Sequence, residues 1–173
     1  PFSGLKIVAD AYYMVRIDRK TGSVDFAQSY DVKGYGQETQ GRKIEHLVED
    51  LDQSSSQHIV VVFTTGEPAE NRLNEGLPDA LYRCGASPKI FAGTKFSKHS
   101  AYLLVGIPTC GQANGFELNQ GGNRHSVIDV TFDVTPDGWK MDEVHVDEVE
   151  DFCLLSNQSY LLTSLQQRTH RES

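Results

Sequence analysis

Two short stretches hold the residues best placed to do chemistry. Ser97-Lys-His-Ser100 puts Lys98 and His99 just after Lys95 and directly ahead of an apolar run, Ala101 to Ile107, which ends in the turn Pro108-Thr-Cys-Gly111. Further upstream, Gly66-Glu-Pro68 follows a second apolar run and sets Glu67 in a loop, with Glu70 close behind. Ammonium, imidazole and carboxylate groups on loops beside strand ends can donate to and accept from a polar ligand. The set is shallow, polar and poor in aromatics, which suits a glycan or a protein contact better than a deep pocket. Each stretch also has a plainer reading. The first is a solvated basic loop leading into a core strand, and the second is a polar loop ahead of a helix start.

Other chemistries fit the residues less well. Glu67 and Glu70 could supply one half of a carboxylate pair for sugar hydrolysis. A Cys/His nucleophile could be assembled from Cys110 or Cys153 and one of the six histidines, since the partners need only meet in space. Cys153, between Phe152 and Leu154, reads equally as a small buried hydrophobe. There is no G-x-S-x-G elbow, phosphate-binding glycine loop, H-E-x-x-H or G-x-G-x-x-G motif. With no C-x-x-C and with dispersed histidines, no metal and no cofactor is expected.

The 173 residues suit one domain with a single core, and 24 acidic against 16 basic residues leave a formal net charge of -8. The bases are scattered along the chain, which excludes nucleic acid as a partner. No apolar run approaches the roughly 20 residues needed to span a bilayer, so no membrane insertion by this chain is expected. Three cysteines permit at most one internal disulfide, and Cys84, at a helix end, and Cys110, in a glycine-rich turn, are placed where a pair could meet. Asn157-Gln-Ser159 is an N-glycosylation sequon, and together with the cysteines it points to a secreted or cell-surface protein.

These residues need a frame, and hydrophobic periodicity supplies one. Tyr13, Val15 and Ile17 alternate with polar neighbours, Asp18 to Gly22 is a turn, and Val24 and Phe26 resume the alternation, which makes a hairpin that Leu5, Ile7 and Ala9 extend upstream. Ile44, Leu47, Val48 and Leu51 form one stripe of a helix, with Glu45, Glu49 and Asp50 on its wet side. The β-branched run His58 to Thr65 suits a central strand buried on both faces. Leu77, Ala80, Leu81 and Cys84 mark a second helix, with Pro78 in its first turn and Gly85 at its end. Lys89 to Ala92 is expected as a short strand, Ala101 to Ile107 as a longer one, and Gly111 to Gly122 as a connection. Ile128, Val130, Phe132 and Val134 then define one apolar face, and Pro136-Asp-Gly138 turns the chain into a second hairpin packed on the first layer. Six carboxylates between Asp142 and Asp151 read as a solvated strand edge or a basic-partner site, and Ser159 to Arg168 as a terminal helix.

The order of "GLKIVADAYYMVRIDRKTGSVDFAQSYDVKGYG", "IEHLVEDL", "HIVVVFTTGEPAENRLNEG", "DALYRCGASPKIF" and "SAYLLVGIPTCGQANGFEL" resembles the ILEI/PANDER-type domain of the interleukin-like EMT inducer family. The likeness covers roughly residues 4 to 118, about two-thirds of the chain. It implies a non-catalytic extracellular α/β (α+β) fold, with mostly antiparallel sheets in a sandwich and short flanking helices. On this reading residues 1-122 form the ILEI-like domain, 123-152 an additional hairpin packed on the same core, and 153-173 a C-terminal helix or tail. The family's sugar-binding member uses a patch of Arg and Asp residues at three places, which here correspond to Asp10, Glu67 and His99, and the basic pair is lost. The cytokine-like members have an N-terminal disulfide pattern that is missing here, whereas a Cys84-Cys110 bridge would suit a variant tying the second helix to the turn after the core strand. The expected function is a glycan- or protein-binding extracellular module using Glu67, Lys95, Lys98 and His99, with glycosylation at Asn157. The alternatives are a structural subunit of an extracellular assembly, with possible self-association, and a glycan-acting hydrolase or transferase.

Overall fold

The β-branched run is the centre of the molecule. In the computed structural model, which describes residues 10–31, 42–70, 72–73, 76–121, 126–135 and 138–148, none of Ile59, Val60, Val61 and Val62 is more than 8% exposed. Chain order is β1 (Ala11–Asp18), β2 (Val24–Asp31), β3 (Arg42–Lys43), α1 (Ile44–Asp52), β4 (His58–Thr65), α2 (Leu77–Arg83), α3 (Pro88–Phe91), β5 (Ala101–Gly106), β6 (Phe116–Gln120), β7 (Ser126–Thr135) and β8 (Gly138–Glu148). The first six strands form one sheet in the order β3-β2-β1-β4-β5-β6, antiparallel except for the short β2–β3 pair. The β7–β8 hairpin is a separate two-stranded sheet. The expectation of a sheet-dominated α+β fold, mostly antiparallel with short helices, therefore holds.

Alternation along the strands sorts side chains into two cores. Tyr12, Met14, Tyr30, Val60, Val62, Tyr102 and Leu104 face the helices and pack with Leu47, Leu77, Leu81 and Phe91. Val15, Ile17, Ile59, Val61, Leu103 and Val105 face the other way, where Ile128, Val130, Phe132, Val134 and Trp139 of the second hairpin pack against them. A strand buried on both faces needs a layer on each side, and the chain supplies helices for one and the hairpin for the other.

Three tyrosines sit fully or almost fully buried on the helix-facing side, and each hydroxyl finds an acceptor. Tyr12 donates to the Pro68 carbonyl at 3.0 Å, Tyr30 to Asp50 Oδ2 at 2.7 Å and Tyr102 to Glu117 Oε1 at 2.8 Å. Burial pushes the hydroxyls of Tyr12 and Tyr102 well above the ordinary tyrosine range, so both remain donors. A hydroxyl left unpaired there would cost about 1–3 kcal/mol, which makes these bonds fasteners between the sheet and its cover.

Three sequence expectations need correction. Asp50, expected on the wet side of α1, is buried because Tyr30 offers it a partner. Lys89 to Ala92 is not a strand: Ser87 Oγ accepts from Lys89 N at 3.3 Å, Pro88 fills the first turn, and α3 results. Gly111 to Gly122 is more than a connection, because its second half forms β6 along β5. The upstream extension over residues 1–9, the terminal helix expected from Ser159, Cys153 and Asn157 lie outside the described residues.

Where α2 ends, Cys84 and Gly85 cross the sheet edge backbone to backbone. Gly85 has φ +105°, and a Cβ there would come within 2.5 Å of Gly115 N. A Cβ on Gly106 would overlap the Cys84 carbonyl oxygen. Since neither neighbour is a flexible side-chain tip, Gly106→Ala should destabilise the fold by about 3 kcal/mol or more, read as a lower urea midpoint at unchanged slope.

Candidate functional site

β4 and β5 run side by side from Val60↔Gly106 to Phe63↔Leu103 and then part. At the fork the Thr64 side chain takes the place of a backbone rung: its Oγ1 accepts from Tyr102 N at 3.0 Å and donates to the Ser100 carbonyl at 3.3 Å. Each strand is thereby released into its own loop, 66–70 after β4 and 92–100 before β5.

The first loop is clamped by Asp10, just ahead of β1. Asp10 Oδ1 accepts from Glu67 N at 2.8 Å, and Asp10 itself has φ 57°. Gly66, at φ +66°, lies so close that a Cβ would strike the Asp10 carboxylate and backbone, so only glycine fits. The second loop is folded on itself and on its neighbours. Ser97 N donates to Ser100 Oγ at 2.8 Å and Ser100 N to the Ser97 carbonyl at 3.2 Å, which puts Lys98 and His99 at the tip of a tight turn. Arg72, just past the first loop, anchors the chain there to α3 and the second loop. It donates to the Phe91 and Gly93 carbonyls at 3.2 and 3.4 Å, and its guanidinium lies 5.0 Å from the centre of the Phe96 ring. Phe96 packs in turn with Phe91 and Tyr102, ring centres 5.6 and 5.5 Å away.

This scaffold gathers three of the expected site residues around one atom. Lys98 Nζ stands 3.1 Å from Glu67 Oε1, and His99 Nδ1 stands 4.0 Å from the same oxygen. Lys98 is 69% exposed, so the pair adds less than about 1 kcal/mol to stability. Its consequence is a pairing of opposite charges at the mouth of an open cleft of about 450 Å³ lined by Glu67, Ala69, Glu70 and Lys98. Lys95 is exposed on the same loop but is not a lining residue, and its carbonyl rests on Gly121 beyond β6. Asp10 acts through the Glu67 backbone.

Several residues that build the site carry no motif. Thr64, Arg72, Ser100 and Glu117 matter through contacts between distant segments, and only the run of small polar residues at strand ends hints at them. Glu117 joins the start of α3 to β5: Oε2 accepts from Ser87 N at 2.6 Å while Oε1 takes the Tyr102 hydroxyl. Burial raises its pKa, and these two hydrogen bonds pull the other way without cancelling the shift.

Other constellations weigh less. His58 accepts from Ser55 N at 3.0 Å on Nδ1 and lies 3.5 Å from Asp25 through Nε2, while Asp25 also takes Arg16 at 3.0 Å. A backbone N–H already occupies Nδ1, so this Ser/His/Asp set is a latch between β4 and the first hairpin. Cys84 is a buried free thiol and Cys110 a half-buried one. Among the described residues no group of three or more His, Cys, Asp or Glu could hold a metal, and no helix is long and apolar enough to cross a membrane. No family model matches the sequence, and no curated protein matches it.

Two outcomes test this construction. Thr64→Val keeps the shape and removes the hydroxyl, leaving the Tyr102 amide and Ser100 carbonyl unpaired, and should cost about 1–3 kcal/mol in denaturant unfolding. A carboxyl whose folded pKa is raised binds its proton more tightly in the folded state, so its contribution is complete below the unfolded carboxylate range and lost as pH rises through the folded value. The stability of wild type relative to Glu117→Gln should therefore rise as pH is lowered from about 7 to about 4, measured by urea titrations at each pH.

Proposed function

We propose that this chain is a non-catalytic extracellular interaction module that binds a glycan through the cleft between the loop after β4 and the loop before β5. The observation that carries the reading is the convergence of Lys98 and His99 on one carboxylate oxygen of Glu67 at the edge of an open polar cleft. Sugar hydroxyls both donate and accept, and they are matched by a site that presents an acceptor carboxylate beside an ammonium and an imidazole. Ala69 adds a small apolar surface, and among the described residues no aromatic side chain lines the cleft. The resemblance to the ILEI/PANDER-type domain supports the same assignment, since the corresponding positions Asp10, Glu67 and His99 surround this fork.

A protein partner would use the same loops, and a structural subunit of an extracellular assembly would instead use self-association. Screening the full chain on a glycan array separates these readings. Glycan binding is expected, with Glu67→Gln and His99→Ala each weakening it by about tenfold or more through loss of charge-assisted hydrogen bonds. Unchanged affinity in both variants would overturn the glycan reading. A mass that grows with concentration in light scattering, without glycan binding, would favour the assembly.

A further inference from the structure

A second feature lies at the opposite end of β5, away from the cleft. The 107–115 loop is held over the end of α2 by three backbone bonds: Thr109 N to Arg83 O at 2.9 Å, Ala113 N to Ala86 O at 3.0 Å and Gly115 N to Gly85 O at 2.9 Å. Thr109 and Ala113 take left-handed φ values of 74° and 60°, a strain for residues with a Cβ that persists because these bonds over-determine the loop. The result places the Cys110 sulfur against the backbone beside Cys84: a Cβ built on Gly85 would lie 3.0 Å from Cys110 Sγ. The two thiols also sense one another, since charge on Cys110 adds to the burial that pushes the Cys84 thiol up to about 12.

We propose that Cys110 and Cys84 form a thiol–disulfide exchange site, in which Cys110 meets a small-molecule disulfide of the glutathione class and Cys84 is the buried thiol that resolves the adduct. The roles follow from access. Cys110 is half-buried and reachable, whereas Cys84 is 1% exposed and closed to a bulky reagent. In the first step the Cys110 thiolate attacks one sulfur of the glutathione disulfide, forming a mixed disulfide and expelling a glutathione thiolate. In the second the Cys84 thiolate attacks Cys110 Sγ, forming the Cys84–Cys110 bond and expelling the other glutathione. Two protein thiols are oxidised, one glutathione disulfide is reduced to two thiols, and the two protons pass to these.

The steps differ in rate for a physical reason. The nucleophile is the thiolate, and that of Cys84 is suppressed chiefly by burial, then by Cys110, with Asp52 opposing ionisation and Arg83 favouring it. Masking Cys110 as a mixed disulfide leaves that sulfur neutral and so relieves one of the influences that suppress the Cys84 thiolate. The closed bond would pin Gly111 and Gln112 against α2 and fix the width of a cleft of about 340 Å³ that they line with Asp79, Tyr82 and Arg83. The site is independent of glycan binding at the other end of the sheet.

The test incubates the full chain, with Cys153→Ser to remove the third thiol, in glutathione disulfide and follows intact mass and mapped peptides. The expected course is one glutathionyl adduct on Cys110, then its loss with a net loss of two hydrogen atoms. The closure rate should rise by about tenfold per pH unit below the Cys84 pKa. Cys84→Ser should stop at the adduct, Cys110→Ser should remain unmodified, and the closed form should melt roughly 5–10 °C above the reduced form. An adduct on Cys110 that persists in the Cys84-containing chain, or no reaction at all, would overturn the proposal. Because both readouts are taken on the chain with Cys84 and Cys110 intact, a poorly folding Cys84→Ser variant does not obscure the result.

Discussion

A strand with no solvent-facing side governs this molecule. His58–Thr65 lies between β1 and β5, and its four central residues are buried on alternating faces, so neither face can be left to water. Burying a Val or Ile side chain is worth about 1.5–3 kcal/mol, and that gain is available only if both cores exist together. The helices and the second hairpin are the two halves of that requirement. The three tyrosine hydroxyls then tie the helix side in place, because a polar tip in an apolar layer is tolerated only against an acceptor.

Where the strand ends, the same logic produces the cleft. Ladder pairing holds β4 to β5 until Phe63, and the Thr64 hydroxyl satisfies the backbone groups that parting would otherwise orphan. The loops that diverge from this point are braced on named contacts: Asp10 on the Glu67 amide, Arg72 on two carbonyls and a ring, Ser100 on the Ser97 amide. Such bracing sets the loops that bring the exposed Lys98–Glu67 pair, itself of little value to stability, to the cleft mouth. The opposite end of β5 is built by another device, glycines that let backbone cross backbone, and it brings the two thiols together.

Strong periodicity was legible without coordinates. The first hairpin, α1, β4, α2, β5 and the second hairpin all follow from apolar spacing and turn residues, because burial of one face is a local pattern with a global reward. The failures share a cause. Lys89 to Ala92 has the composition of a strand, yet the Ser87-Pro88 start signal favours one helical turn. The stretch from Phe116 is too short to show a period and becomes β6 because the edge of β5 needs a partner. Asp50 looks like a wet-side carboxylate until Tyr30 arrives from another strand.

By itself, then, the sequence determined the sheet-dominated class, the two-faced central strand and the loops on which Glu67, Lys98 and His99 ride. It also set Cys84 at a helix end and Cys110 in a glycine turn. Tertiary structure alone decided that Lys98 pairs with Glu67 Oε1 while His99 stands 4.0 Å from the same oxygen, that Asp10, Thr64 and Arg72 brace the loops carrying them, and that neither His99 nor Lys95 lines the cleft. The physical reason is the range of the interactions. Periodicity acts between neighbours a few residues apart, whereas these hydrogen bonds and ion pairs join segments up to 57 residues apart, and only the closed sheet brings them within reach.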